Sequence, residues 1–326
     1  MIKAGNKYEK IKVEEILDLG KVAQRYGMST DELLRFHNQH CKLHELLTPT
    51  LPKYTEFLYI PYEIFKNYES KLLKNSTLDL PNMDSRKVYG VVIKFLPKDI
   101  EIHYKISVKR TQNNVEITKE KTYVNNQEID KIVEQIFEKA EQVLYPLHII
   151  TDSGGDIIKI SNAAEIAKRW TSDQRPKMKE YYVSEVADTL LEQLDHVFKD
   201  INAKNDLLSR NIFYKLFFLP VYKSYPQFSK KDLLQFYFPG IPHEVSYDIQ
   251  YKLEQHYTRG NKIILRIEGD EEENLMNENR EKGKIDLLYK LHKDTREIFS
   301  IEGAVSVIEK GKEYKTELQL YELSNS

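Results

Sequence analysis

Hydrophobic and polar positions change their period several times along the chain, and each change marks an element. After a short β run at Ile11 to Val13, Leu19, Val22, Ala23 and Tyr26 recur at helical spacing, and Gly27 stands where that helix would stop. A second helix is predicted from Ser29, a good N-cap with Glu32 at the capping-box position, into Leu33, Leu34 and Phe36. Phe57 to Ile60 then reads as a strand ended by Pro61. Residues 8–61 are therefore expected to pack as strand, helix, helix, strand, with Val22, Ala23, Tyr26, Leu33, Leu34 and Ile60 inside.

Residues 62–86 lose a clear period and collect Asn, Ser, Asp and Pro, which predicts a linker. The period then becomes two. Val88 to Phe95 is an apolar run, and Ile100, Ile102, Tyr104, Ile106 and Val108 alternate with Glu101, His103, Lys105 and Lys109, so His103 is expected on the wet face of a half-buried strand. A helical stripe from Ile129 through Ile132, Val133, Ile136, Phe137 and Ala140 to Leu144 should cover that sheet. A short helix is expected to end near Trp170. After Pro176 a long one should carry the stripe Val183, Val186, Ala187, Leu190, Leu191, Leu194, Val197 and Phe198. From Val245 onward alternation returns in a series of strands joined by TRGN, HKDT and EKGK turns. The fold class is α+β. A domain of residues 1–61 and a linker precede a larger antiparallel β body, 87–326, divided into a meander, helix and hairpin (87–160), a helical and aromatic-rich middle (161–240) and a β meander (241–326).

Composition narrows the function classes. With 49 basic against 51 acidic residues the net charge is -2, so no global field would recruit a nucleic-acid backbone or an anionic membrane. The charged N-terminus lacks the apolar core of a signal peptide, and no window approaches a membrane-spanning length, so the chain reads as cytoplasmic and not membrane-inserted. The single cysteine agrees with a reducing compartment.

Five stretches could carry chemistry or recognition. His37, His40, Cys41 and His44 lie in the stretch HNQHCKLH, but HxxHCxxH matches no structural zinc spacing, and no metal is expected. Asp152-Ser-Gly-Gly-Asp156 contains the Asp-Ser-Gly triplet of aspartic proteases, which need a second carboxylate sharing the proton. The flanking β runs favour a hairpin turn. Asp195 and His196 are neighbours in sequence and so point in different directions from a helix, both expected in solvent. Phe213, Phe217, Tyr222, Tyr225 and Phe228 belong to the most aromatic segment, which is either core or a partner-binding patch. The acidic stretch 269–283 has no EF-hand spacing. No Walker loop, GxGxxG, GxSxG or HExxH motif occurs, so binding is expected rather than catalysis, with no cofactor.

The βααβ order, the string VAQRYGMSTDELLRFHN and the closing LYIP resemble the LysM domain, best known for binding N-acetylglucosamine polymers such as peptidoglycan and chitin. The resemblance covers residues 8–61. It implies that the ligand loops carry Asp18, Leu19, Tyr54 and Thr55. The family's Gly-Asp-Thr-Leu falls on Ile16, Leu17, Asp18 and Leu19, and its turn glycine on Thr55, so both loops lose the glycine that permits close backbone approach. The scaffold is kept and the sugar site is not. The function implied is a non-enzymatic adaptor or structural subunit that docks on other proteins, as LysM-like domains do in baseplate- and spike-associated proteins of contractile injection machines. The alternative is a cell-wall protein or hydrolase binding glycan.

Overall fold

The structure is a computed structural model that describes residues 7–13, 18–48, 55–129, 131–201, 206–273 and 280–323. The chain forms two compact units, Met1–Leu72 and Leu73–Ser326.

In the first unit the expected order forms: β1 (Tyr8–Lys12), α1 (Leu19–Arg25), α2 (Thr30–His40) and β2 (Phe57–Pro61), with β1 and β2 antiparallel and Ile11 opposite Leu58. Local chemistry sets each helix end. Asp18 caps α1 by accepting the Gly20 N–H at 2.7 Å. Gly27, at φ +68°, ends it in a Schellman turn, in which the Met28 N–H reaches the Ala23 carbonyl at 2.9 Å. Ser29 and Glu32 close the capping box, which holds the Glu32 carboxyl below its ordinary range. Leu19, Val22, Ala23, Leu33, Leu47, Leu58 and Ile60 form the core, with Tyr26 and Leu34 packed at its margin. Residues 62–70, expected in a linker, form α3 (Tyr62–Ser70), and its Ile64 and Phe65 join the same core. An apolar pair on one turn suffices for a short helix to dock even where no long period is visible.

The second unit is built on one antiparallel sheet. In chain order its elements are β3 (Ser85–Leu96), β4 (Ile100–Thr111), β5 (Asn114–Lys119), β6 (Tyr123–Val124), β7 (Gln127–Glu128), α4 (Ile132–Gln142), β8 (Leu147–Thr151) and β9 (Ile157–Ile160). Among the described residues α5 (Ala163–Arg169), α6 (Arg175–Tyr181), α7 (Glu185–Lys199), α8 (Asp206–Ser209) and α9 (Ile212–Phe217) follow. The strands β10 (Ser229–Tyr237), β11 (Glu244–Leu253), β12 (Lys262–Glu271), β13 (Lys284–His292), β14 (Ile298–Glu309) and β15 (Lys312–Glu322) complete it. The path runs β10-β11-β12-β13-β14-β15-β3-β4-β5-β8-β9, so β15 joins the C-terminal meander to the N-terminal one. The fold is α+β. Among the described residues no helix is long and apolar enough to cross a membrane.

The sheet curls around its helices. Tyr89 of β3 donates to the Ile298 carbonyl of β14, and Tyr289 of β13 donates to the Leu216 carbonyl of α9, each at 2.8 Å. Curling brings neighbouring backbones together where only glycine fits. A Cβ at Gly303, whose φ is +146°, would fall on the Asp286 carbonyl of β13, and one at Gly269 would fall on the Asp248 carbonyl of β11.

Three expectations for the body need correction. Residues 229–237, assigned to the helical middle, form β10, paired with β11 so that Phe236 faces Val245. Their buried positions, Leu234 and Phe236, recur at period two, a signal masked by the density of aromatics around them. In α4 the stripe is divided: Ile136 and Ala140 are buried while Ile132, Val133 and Phe137 are exposed. The long helix begins only after its Ser184 cap, leaving Val183 outside it and Val186 exposed, with Ala187, Leu191 and Phe198 turned inward.

Candidate functional site

The sequence places its ligand loops in the first unit. Asp18 spends a carboxylate oxygen on the α1 cap, and Leu19 is a core residue, 2% exposed. Thr55 is half-buried, and Tyr54 lies outside the described residues. Two of these four positions are thus committed to holding the fold. The exposed leucines of this unit lie elsewhere. On the connection between α2 and β2, Leu43 is 86% exposed and Leu46 is 42% exposed.

The same connection explains the histidine cluster. His37 is fully buried, and both ring nitrogens serve the backbone: Nδ1 accepts the Tyr59 N–H at 3.1 Å, and Nε2–H donates to the Glu45 carbonyl at 2.8 Å. That pairing assigns a neutral tautomer and ties the end of α2 to β2 and to the loop. Burial lowers the His37 pKa from its ordinary value. His40 stacks on Phe36 and bonds the Phe36 carbonyl through Nδ1, while His44 is exposed. Cys41 is half-buried, and its thiol pKa is raised by burial. His37 and His40 are therefore held by the fold while His44 faces solvent. Among the described residues no three His, Cys, Asp or Glu side chains converge on one point as metal ligands.

In the body, the aromatic segment is core and not a partner patch. Phe213, Phe217, Tyr222 and Tyr225 are buried and Phe228 packs against them. The physical reason is their position under the curled sheet, where Phe213 stacks on Phe217 at 5.2 Å and Tyr222 donates to the Arg296 carbonyl. Asp152-Ser-Gly-Gly-Asp156 is the turn between β8 and β9, and Asp152 Oδ1 accepts the N–H groups of Gly154 and Asp156. Asp156 also lines a mixed cleft with Lys215, and burial raises the Asp156 pKa and lowers that of Lys215. Asp195, expected in solvent, accepts the Trp170 Nε1–H at 2.7 Å and pairs with Arg175 at 3.1 Å, which fixes α7 against the buried indole.

The feature that sequence reasoning missed is a cavity of about 590 Å³ beneath the sheet. It is walled by Ile93 of β3, Tyr104 of β4 and Phe236 of β10 on the strand side, and by Ala140 of α4, Phe198 of α7 and Ile212 of α9 on the helix side. β10 and β4 stand far apart in the strand order, so only the curl brings them to one wall. Buried Tyr104 and Tyr214 and half-buried Tyr145 have pKa values raised by desolvation, and the Tyr145 and Tyr214 hydroxyls lie 3.0 Å apart. Comparison with protein-family models, with curated proteins and with solved structures returns no match to this chain.

Proposed function

We propose that this chain is a non-enzymatic adaptor whose first unit, a LysM-like module, docks on other proteins, as a subunit or accessory of an assembly such as a contractile injection machine. The observation that carries the reading is the fate of the ligand loops. Asp18 is used as a helix cap, Leu19 is buried in the core, and the connection after α2 presents Leu43 and Leu46 to solvent. A glycan groove needs backbone groups that a sugar can approach, and the sequence has Ile16 and Thr55 where glycine would permit it. Isolated exposed leucines are common on protein surfaces, but two on a connection that His37 and Asn38 pin to the fold offer a pre-ordered apolar contact. Asn38 contributes by exchanging two hydrogen bonds with the Leu47 backbone, at 2.9 and 2.8 Å.

The test is a chemical-shift titration of the full chain with chitin oligomers and soluble peptidoglycan fragments. No saturable shift is expected up to about 1 mM ligand, where binding free energy falls to about -4 kcal/mol. Saturable binding, lost on changing Asp18 or Tyr54, would replace the adaptor with a cell-wall protein.

A further inference from the structure

The cleft that Asp156 and Lys215 share lies where the curled sheet stops. β10 and β9 are the two ends of the strand path. The cleft, about 590 Å³, is lined by Asp232, Leu233, Leu234 and Gln235 of β10 and by Asp156 and Ile157 at the start of β9. Side chains of consecutive strand residues point to opposite faces of a sheet. A cleft that touches four in a row therefore runs along the edge of β10 and not over one face of it.

The register shows which backbone groups that edge offers. Even-numbered residues on the β11 side bond β12: the Glu272 N–H donates to the Ser246 carbonyl at 2.8 Å, and the Glu254 N–H donates to the Ile264 carbonyl at 2.9 Å. In an antiparallel ladder successive residues bond alternate neighbours, so the odd-numbered residues of β11 bond β10. Their partners are even-numbered, with Asp232 opposite Ile249 and Leu234 opposite Tyr247. The N–H and C=O groups of Lys231, Leu233 and Gln235 are thus turned away from β11. The Leu233 N–H is met by the Asp232 carboxylate at 3.1 Å, and among the described residues none of these groups pairs with another backbone segment.

Charge narrows the partner. Lys230 and Lys231 are exposed, Lys215 is half-buried on the cleft wall, and among the described residues none of the three forms an ion pair. The one acid of β10, Asp232, is spent on Lys223 at 3.0 Å. The other acids of the cleft, Asp156 and Glu272, stand off the edge strand. Lysines on an edge work against pairing with a second copy of the same strand and leave it open to a strand of opposite charge. Lys215 stands to gain as well, because burial lowers its pKa while no described carboxylate reaches ion-pair distance.

We propose that β10 takes up an extended acidic peptide of a partner protein as an added strand, hydrogen-bonded to the backbone of Lys231, Leu233 and Gln235, with acidic side chains against Lys215, Lys230 and Lys231. Main-chain pairing of this kind gives affinity, and the side chains beside it give specificity. The open groups span five residues, about 17 Å at about 3.4 Å per residue, so a peptide of about seven residues covers them. The adaptor reading and this one are independent, since they use different units.

The experiment titrates the full chain, by fluorescence anisotropy, into three labelled heptapeptides: one of alternating glutamate and valine, the same peptide with its three central N–H groups methylated, and its counterpart with lysine for glutamate. Saturable binding of the first, at about one per chain and about tenfold tighter than either of the others, is the expected result, with slowed hydrogen exchange at the Lys231 and Gln235 amides. Lys230→Glu/Lys231→Glu, at exposed positions, and Gln235→Pro, which removes an N–H turned away from β11 and so spares that ladder, should each weaken it by about tenfold or more. Absence of saturable binding, equal binding of the methylated or the lysine peptide, or unchanged binding by both variants would each overturn the proposal. So would dimerisation of the chain alone that Gln235→Pro abolishes, which would give the edge to a second copy.

Discussion

Replacing His37 by alanine should unfold the first unit while leaving the body intact, and the structure sets the size of the effect. The imidazole is the sole partner shown for two main-chain groups, the Tyr59 N–H of β2 and the Glu45 carbonyl of the loop. Truncation strands both, and each buried orphan costs about 1–3 kcal/mol. Loss of a fully buried ring adds the cavity it leaves, so the total is about 3 kcal/mol or more. A unit of 72 residues whose core, among the described residues, is seven buried side chains has little to spare, because a single core of this size supplies about 3–5 kcal/mol. Hydrogen exchange of the intact chain reads both units at once. In His37→Ala the amides of α1, α2 and β2 should lose nearly all protection while those of β12 and β13 keep theirs. His37→Asn, which retains one donor and one acceptor on a shorter side chain, should recover part of it, and His44→Ala should change nothing. Protection in His37→Ala within about 0.5 kcal/mol of the parent would show that the imidazole is not the bridge described.

Other outcomes follow from the same structure. Burial lowers the His37 pKa in the folded state below its ordinary 6.5, so its contribution is complete above pH 6.5 and is lost as pH falls from there towards the lowered folded value; protection of the first unit should fall progressively below pH 6.5, and a flat profile would contradict the assignment. Asp195→Ala strands the Trp170 indole N–H and removes a half-exposed ion pair with Arg175, and should lower body stability by about 1–3 kcal/mol in urea unfolding, where a loss below about 0.5 kcal/mol would remove Asp195 from the account. Gly303→Ala drives a Cβ into the Asp286 carbonyl at a positive φ and should cost more than about 3 kcal/mol or abolish soluble expression, whereas a parent-like thermal midpoint would show that the sheet does not need this close approach.

How much of this was readable beforehand depended on range along the chain. The cap at Ser29 and the stop at Gly27 are local, reaching only two or three residues, and the first unit could be assembled from them, whereas Asp18, assigned to a ligand loop, caps α1. The C-terminal meander was legible for the same reason, because alternation and turns repeat within each hairpin. The failures are long-range. That β15 pairs with β3 rests on residues more than two hundred positions apart, and the cavity exists only because the curl brings β10 near β4. Exposure on a helix is likewise set by what lies opposite it: nothing in the spacing of Ile132, Val133 and Phe137 distinguishes them from buried Ile136 and Ala140. The aromatic segment shows the limit from the other side, since density of rings gives the same sequence signal for a patch as for a core. At His37 the residue was singled out for its chemistry, and the fold uses it for its two hydrogen bonds.

The central claim is that the first unit contacts protein through the connection after α2. It is tested most directly by purifying the full chain from its native host at endogenous expression, in parallel with the Leu43→Asp/Leu46→Asp double variant, and identifying what each carries by mass spectrometry. Both positions are exposed, so the variant should keep the parent's hydrogen-exchange protection. The account predicts that the parent carries stoichiometric components of one assembly, of the tail or secretion type, and that the variant loses them while both fail to sediment with sacculi. Identical partners on parent and variant, or retention of the parent on sacculi, would contradict it.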